Sequence, residues 1–188
     1  MKLDKIKIIL IASVIALTPK VANAQLIGVS TELTSDLLMM PSLGLEVALG
    51  GKTTASLNGV VSNKVWGKDF KTFSLQPEIR YYFSGRAMHK HYFGIGGIVT
   101  DYDIHWSGKV YDGYALGAGL TLGYSYSINT RMNIDFHAGL GLYKFKRKEY
   151  FEGDDFDIYA KNRIQHANSN GYCMLPTRIG ISLVYIFK

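Results

Sequence analysis

Seven ionisable residues stand out by their surroundings: Glu32, Glu46, Glu78, Arg80, Asp135, His137 and Arg178 each have an apolar residue on at least one side. Glu78 and Arg80 are two apart, as are Asp135 and His137. An acid beside a histidine is equipment for hydrolysis, in which the imidazole moves a proton and the carboxylate orients it. No serine, threonine or cysteine stands at a diagnostic nucleophile spacing, so no catalytic residue is assigned. The first reading is a set of charges that pair with one another inside a fold, and hydrolysis through Glu78, Asp135 and His137 is the alternative.

Other chemistries fare less well. Gly94-Ile95-Gly96-Gly97, Gly117-Ala118-Gly119 and Gly139-Leu140-Gly141 are not phosphate loops, because no Lys-Ser or Lys-Thr follows them. His89 and His91 lack a third metal ligand nearby. Glu152, Asp154, Asp155 and Asp157 lack the glycine and terminal glutamate of a calcium loop, and Lys146, Arg147, Lys148, Lys161 and Arg163 flank them as neutralising charges. Cys173 is the single cysteine, which rules out an internal disulfide. The sequence therefore implies neither a metal nor a cofactor.

What positions the seven residues is a period of two. Tyr114, Leu116, Ala118, Leu120, Leu122 and Tyr124 alternate with Ala115, Gly117, Gly119, Thr121, Gly123 and Ser125. After a polar turn at Ser127 to Thr130, Met132, Ile134, Phe136, Ala138, Leu140 and Leu142 alternate with Asn133, Asp135, His137, Gly139, Gly141 and Tyr143. Each run is a strand with one apolar and one polar or small face, at least as long as the roughly 9 to 11 residues a transmembrane β-strand requires.

The same pattern predicts strands over 26–33, 43–49, 53–62, 73–83, 91–100 and 178–187. Gly50-Gly51 marks one hairpin. The predicted loops are 34–41, 63–71, 101–111 and 144–172, and 84–90 is a short turn. This reading gives eight strands, with the first, third, fifth and seventh connections longer than the rest. That is the layout of an all-β, eight-stranded antiparallel transmembrane barrel of the outer-membrane type, with short periplasmic turns, longer outside loops and both termini in the periplasm. A soluble periplasmic barrel would instead require the apolar faces to point inward.

Aromatic residues agree with two membrane boundaries. Phe83, Phe93, Tyr124, Tyr126, Tyr185 and Phe187 fall at the turn ends; Trp66, Phe73, Trp106, Tyr114 and Phe145 fall at the loop ends. An eight-stranded barrel is just wide enough to be filled by its own side chains, so the seven inward charges are expected to seal it. Inward glycines make room for Tyr82, Tyr92 and Tyr143.

The N-terminus fits export. Lys2, Lys5 and Lys7 precede an apolar run from Ile8 to Leu17, then Pro19 and Ala22-Asn23-Ala24. This is the pattern of a signal peptide over residues 1–24, leaving a barrel domain over 25–188. Its removal takes away Lys2, Lys5, Lys7, Lys20 and Asp4, lowering the formal net charge from +6 to +3. That charge gives no footprint for nucleic acid. A composition 47% hydrophobic with 20 glycines suits closely packed strands.

Leu43-Gly44-Leu45-Glu46, the run Gln76 to Phe83, Gly117 to Tyr126, and Pro176-Thr177-Arg178 leading to Tyr185-Ile186-Phe187 carry a resemblance. On these the chain resembles a family of small outer-membrane β-barrel proteins of Bacteroidetes known as a domain of unknown function, family 3575. The resemblance implies a barrel fold and an outer-membrane location and supplies no catalytic residues. Members often carry two cysteines in the last loop, where this chain has Cys173 alone.

Expected partners are outer-membrane lipid, the barrel-assembly machinery during biogenesis, and a surface protein or glycan. The aromatic and apolar residues Leu37, Met40, Trp66, Trp106, Tyr150, Phe151, Phe156 and Tyr159 form the candidate contact site on the loops. The expected function is an anchor for such loops, with an outer-membrane lipid-modifying hydrolase as the alternative.

Overall fold

The computed structural model describes residues 26–65, 67–151 and 168–187. The proposed signal peptide, Trp66, the acidic run Glu152 to Asp157 with Phe156, Tyr159, Lys161 and Arg163, and Lys188 lie outside the described residues. Eight strands run in chain order as β1 (Ile27–Glu32), β2 (Ser42–Ala48), β3 (Thr53–Val65), β4 (Lys68–Tyr82), β5 (Lys90–Trp106), β6 (Lys109–Ser127), β7 (Met132–Phe151) and β8 (Asn168–Phe187). A single-turn helix, α1 (Leu33–Leu37), joins β1 to β2. Each strand pairs antiparallel with the next, and β8 pairs with β1, closing the barrel.

Closure is staggered. Ile27 pairs with Phe187 on one side, yet following its pairing through Val47, Ala55, Ile79, Ile95, Leu120 and Leu140 leads to Pro176. That offset is the shear that tilts the strands by roughly 35–45°. Closure pairs every strand of the wall on both sides, while β8 before Ser182 and β3 after Val60 extend past their β1 and β2 partners.

The predicted faces hold throughout the barrel wall. Leu43, Leu45, Ile79, Ile95, Leu116, Leu120, Leu122, Leu140, Leu142 and Ile179 are exposed. Glu46, Glu78, Arg80, Asp135, His137 and Arg178 are buried on the opposite faces of the same strands. Apolar outside and charged inside is the reverse of a soluble barrel. On β6 the outward apolar stretch runs from Tyr114 to Tyr126. At about 3.3 Å per residue and a tilt of roughly 40° it rises about 30 Å, the thickness of a bilayer's hydrocarbon core.

The expected loops at 63–71 and 101–111, and both flanks of 144–172, prove to be strand. β3 and β4 pair up to Val65 and Lys68, past a register shift between Ser62 and Lys64. β5 and β6 pair up to Trp106 and Lys109, closed by Ser107 (φ 53°) and Gly108 (φ 73°) in the left-handed geometry of a tight hairpin. β7 and β8 continue pairing to Lys148 and Asn168. Above the apolar band water meets more of the surface, so no alternation is imposed there. Backbone pairing still continues, because each N–H and C=O needs a partner. The loop end thus projects as a tall sheet on β5 to β8 and stays low at β1 and β2.

Phe145 is corrected too: it lies on the inward face beside Tyr143 and Arg147, and so leaves the loop-end girdle. Tyr172, within the stretch expected to be loop, stands exposed at that boundary instead.

Close packing inside uses glycine. A Cβ on Gly123 would fall on the Tyr92 ring, and one on Gly117 would lie 2.9 Å from Tyr143 Cδ1, as the inward glycines predicted. Pro77, which lacks an N–H, interrupts the β4–β5 ladder between Leu75 and Glu78 opposite Gly97 and Ile98. Ser84 to Lys90 is more than a turn: it folds Ala87 and Met88 into the turn-end mouth, where Met88 packs on Val184 and Ile186.

The apolar band predicts a depth-dependent cost. Leu120→Arg, in the row with Ile95 and Leu140, is expected to destabilise the barrel refolded into phospholipid vesicles by about 2–4 kcal/mol in urea titrations. Thr130→Arg, in an exposed turn, should shift it by no more than about 0.5 kcal/mol.

Candidate functional site

The seven ionisable residues come from five strands and meet inside the barrel. Arg80, 3% exposed, is the hub. Its Nε donates to Glu78 Oε2 at 2.7 Å, and its Nη1 donates to Glu46 Oε2 at 2.9 Å and to Asp135 Oδ2 at 3.2 Å. Its Cζ lies 4.7 Å from the centroid of the Tyr92 ring. Hydroxyls bind Glu46 and Asp135 in turn, while Glu78 Oε1 and Asp135 Oδ1 have no hydrogen-bond partner among the described residues. Tyr82 and Thr54 hydroxyls donate to Glu46 Oε1 at 2.8 and 2.6 Å, and the Tyr92 hydroxyl donates to Asp135 Oδ2 at 2.9 Å.

A second cluster sits against the first. His137 Nε2 lies 2.8 Å from Glu32 Oε1, and its Nδ1 lies 3.8 Å from Asp135 Oδ2. Arg178 bridges the two, with Nε 3.7 Å from Glu32 and Nη1 3.7 Å from Glu78. Its Nη2 donates to Ser182 at 3.4 Å. Beside Glu78 and Arg178 is a cavity of about 20 Å³, bounded by Thr121 and Thr177 and about the size of one water molecule.

The strand period explains the assembly. Residues two apart share a face, so Glu78 with Arg80 and Asp135 with His137 both point inward. Register then sets neighbours: Glu78 faces Ser56 and Gly96, and Asp135 faces Ser125 and Ser182. These small partners leave the charged side chains room to reach one another. Four carboxylates converge on two guanidinium groups and one imidazole, all desolvated, an arrangement stable only when every ion is paired and hydrogen-bonded.

This network stands between two separate mouths. The loop-end basin holds about 290 Å³ above Glu32 and Arg178, and Met40 lines it. The turn-end mouth holds about 350 Å³ and is lined by Met88, His89, Asn133 and Ile186. There Asn133 Nδ2 donates to the Met88 carbonyl at 2.7 Å and the Ser125 hydroxyl donates to it at 3.3 Å. The inward pull on Met88 was not legible in the sequence beyond an apolar pair, Ala87-Met88, inside a polar turn.

The loop contact residues do not form one patch. Trp106 is exposed next to the β5–β6 hairpin, and Lys109, its register partner, has its Nζ 5.3 Å from the centroid of the Phe151 ring. Tyr150, half-buried, pairs with Val110. Leu37 belongs to α1 on the low side and is 80% exposed, while Met40 is half-buried over the basin. Asp36 ties this segment down, accepting from Thr31 Oγ1 at 2.5 Å and from the Ser42 amide at 3.1 Å. Trp66, Phe156 and Tyr159 lie outside the described residues.

The remaining candidates have structural surroundings. His89 Nδ1 is 3.2 Å from Ser127 Oγ, and His91 stacks against Tyr124 with ring centroids 4.6 Å apart. Cys173 is free and half-buried. Among the described residues no three histidine, cysteine or acidic side chains gather as metal ligands.

A buried hub of this kind is costly to break. Arg80→Met leaves three carboxylates without their shared cation and is expected to lower stability by about 3–5 kcal/mol, or to abolish folding into detergent micelles. The check is heat-modifiable gel migration with urea titration of whatever folds; an unchanged midpoint would show that Arg80 is not the hub.

A family model described as "Protein of unknown function (DUF3575)" matches residues 8–187. Among solved structures, Neisserial surface protein A (NspA) aligns with a TM-score of 0.42 and 12% identity, over 87% of this chain and 94% of that one. No curated protein matches the chain.

Proposed function

We propose that this chain, which belongs to the DUF3575 family of proteins of unknown function, is a small outer-membrane β-barrel with a sealed interior that anchors an extracellular sheet and its loops. The observation that carries the reading is the inverted distribution of polarity. Leu, Ile and aromatic side chains cover the outer wall, while the charges are turned inward and neutralise one another. Lipid is the solvent that suits such a surface, and a closed barrel is one of the two structures whose backbone can cross it.

In this reading residues 1–24 are a cleaved export signal, the turn end lies in the periplasm, and the loop end faces out. The barrel is neither a pore nor an enzyme. Arg80, its three acids and the His137–Glu32 pair fill the bore, which argues against a conducting lumen. His137 has a fully buried side chain held 2.8 Å from Glu32, so its role is to cross-link the interior network rather than to meet substrate. The exposed Trp106 and Phe151 near the tip of the tall sheet suit a surface protein or glycan, and the assembly machinery that inserts barrels is the partner in biogenesis.

Topology is tested by single cysteines in a Cys173→Ser background. A membrane-impermeant maleimide should label Lys64→Cys on intact cells, and should label Thr130→Cys only after the outer membrane is permeabilised. Equal protection of both sites would place the protein in the periplasm and overturn the reading. The hydrolase alternative is tested by His137→Gln: a folded barrel accompanied by an altered membrane lipid profile would favour the enzyme, whereas an unchanged profile is expected.

A further inference from the structure

We propose that the outward face of β7 and β8 at the loop end binds a phosphorylated glycolipid, with Lys144 and Lys146 holding its phosphates. This rests on the reading that the loop end faces out of an outer membrane, because it assigns the site to lipid of the outer leaflet.

The carrying observation is a change of chemistry within one strand face. Leu140 and Leu142 point outward on β7 and are fully available to acyl chains, Leu142 being 63% exposed. The next three outward positions on that face are Lys144, Lys146 and Lys148, all exposed, with Phe145 and Arg147 turned inward between them. The strand therefore passes directly from an acyl-chain surface to a cationic one, at the depth where headgroups begin.

The flanking strands mark the same boundary. Lys144 pairs in register with Tyr172 of β8, and its Nζ lies 5.7 Å from the centroid of that ring. Lys146 pairs with Tyr114 of β6. Tyr172 is 76% exposed, and such rings settle where an apolar body meets lipid and a polar tip meets water. An exposed ring beside cations also offers a flat surface to a sugar.

The acids nearby stand on the other flank. Asp112 of β6 is the register partner of Lys148, Asp101 of β5 pairs with Tyr114, and Asp103 is held by Lys71 at 4.0 Å and His105 at 3.3 Å. On the β8 flank the outward residues are Asn170, Tyr172 and Met174, none of them charged. Lys144 and Lys146 thus open toward a side with no competing carboxylate among the described residues. Below them Leu140, Leu142 and Met174 make a continuous apolar floor. A ligand that matches this order has phosphates on a sugar headgroup with acyl chains beneath.

The test uses the full-length protein folded in a neutral detergent, titrated with a bisphosphorylated, acylated glucosamine disaccharide and followed by native mass spectrometry. Binding should weaken with added salt, as phosphate contacts do. Lys144→Gln with Lys146→Gln should weaken it about thirtyfold, the effect of removing two interfacial cations. Arg86→Gln with Arg131→Gln, an equal charge change at the turn end, should leave it unchanged. The dephosphorylated lipid should bind the wild type no better than the intact lipid binds the double variant. Unchanged affinity in the double variant overturns the site. Equal affinity for phosphatidylglycerol overturns the glycolipid assignment in favour of any anionic lipid. Should the double variant fail to fold by heat-modifiable migration, the salt dependence and the dephosphorylated lipid decide the question on the wild type, and absence of both effects overturns it. Binding in detergent does not depend on which leaflet the site faces, so a failure of the labelling experiment on cells is read separately.

Discussion

A guanidinium taken out of water must be given carboxylates, and the cross-section of this barrel is arranged around doing so for Arg80. Its three acids come from β2, β4 and β7, so the ion pairs tie strands that are far apart in the ring. Tyr82 and Thr54 then donate to Glu46 and Tyr92 to Asp135, and the tyrosine rings take up the volume. Each of these needs small neighbours. Gly123 beneath Tyr92 and Gly94 beside Glu78 are positions where a Cβ would occupy space that a ring or a carboxylate already fills. Gly94 and Gly123 thus make room for the charged network, while Gly119, Gly139 and Gly141 make room for Thr177.

Because the charges pair with one another inside, the wall can be apolar outside. The two faces of each strand answer to different solvents, protein within and lipid without, and closure removes the edge that either solvent would leave unsatisfied. The irregularities are local: Pro77 opens the β4–β5 ladder, and a register shift places Thr177 between paired residues of β8 opposite Gly139 and Leu140. Both border the small cavity next to Arg178, which is where the network is loosest.

Above the lipid band the constraint changes. There the strands persist through backbone pairing, side chains no longer need to alternate, and chemistry becomes specific to each strand: acids on β5 and β6, lysines on β7, tyrosine and asparagine on β8. α1, by contrast, covers the low side, held by Asp36 and by the Ile181 amide, which donates to Thr34 Oγ1 at 3.3 Å. The molecule is uniform where lipid dictates it and individual where it meets the aqueous side.

The boundary between the two regimes is also the boundary of what the sequence determines alone. Within the band a period of two assigns the facing of nearly every residue from Ile27 to Leu142 in the wall strands, because burial on one side only leaves a mark in the order of residue types. It therefore identified Glu32, Glu46, Glu78, Arg80, Asp135, His137 and Arg178 as one inward set, and Tyr92 and Tyr143 as the rings that glycine accommodates. It did not say that Arg80 is the hub and Arg178 the bridge, since that depends on register and shear, which bring residues as far apart in sequence as Glu32 and Arg178 into contact. Beyond the band the sequence carries no apolar period, and 63–65, 68–71, 101–106, 109–111 and 144–151 read as loop although they are strand. Only the pairing of each backbone with its neighbour decided that, because a hydrogen-bonded ladder is indifferent to which side chains it carries. The burial of Met88 in the turn-end mouth was likewise decided by tertiary structure: its carbonyl meets Asn133 and Ser125 from two other strands, which no local pattern records.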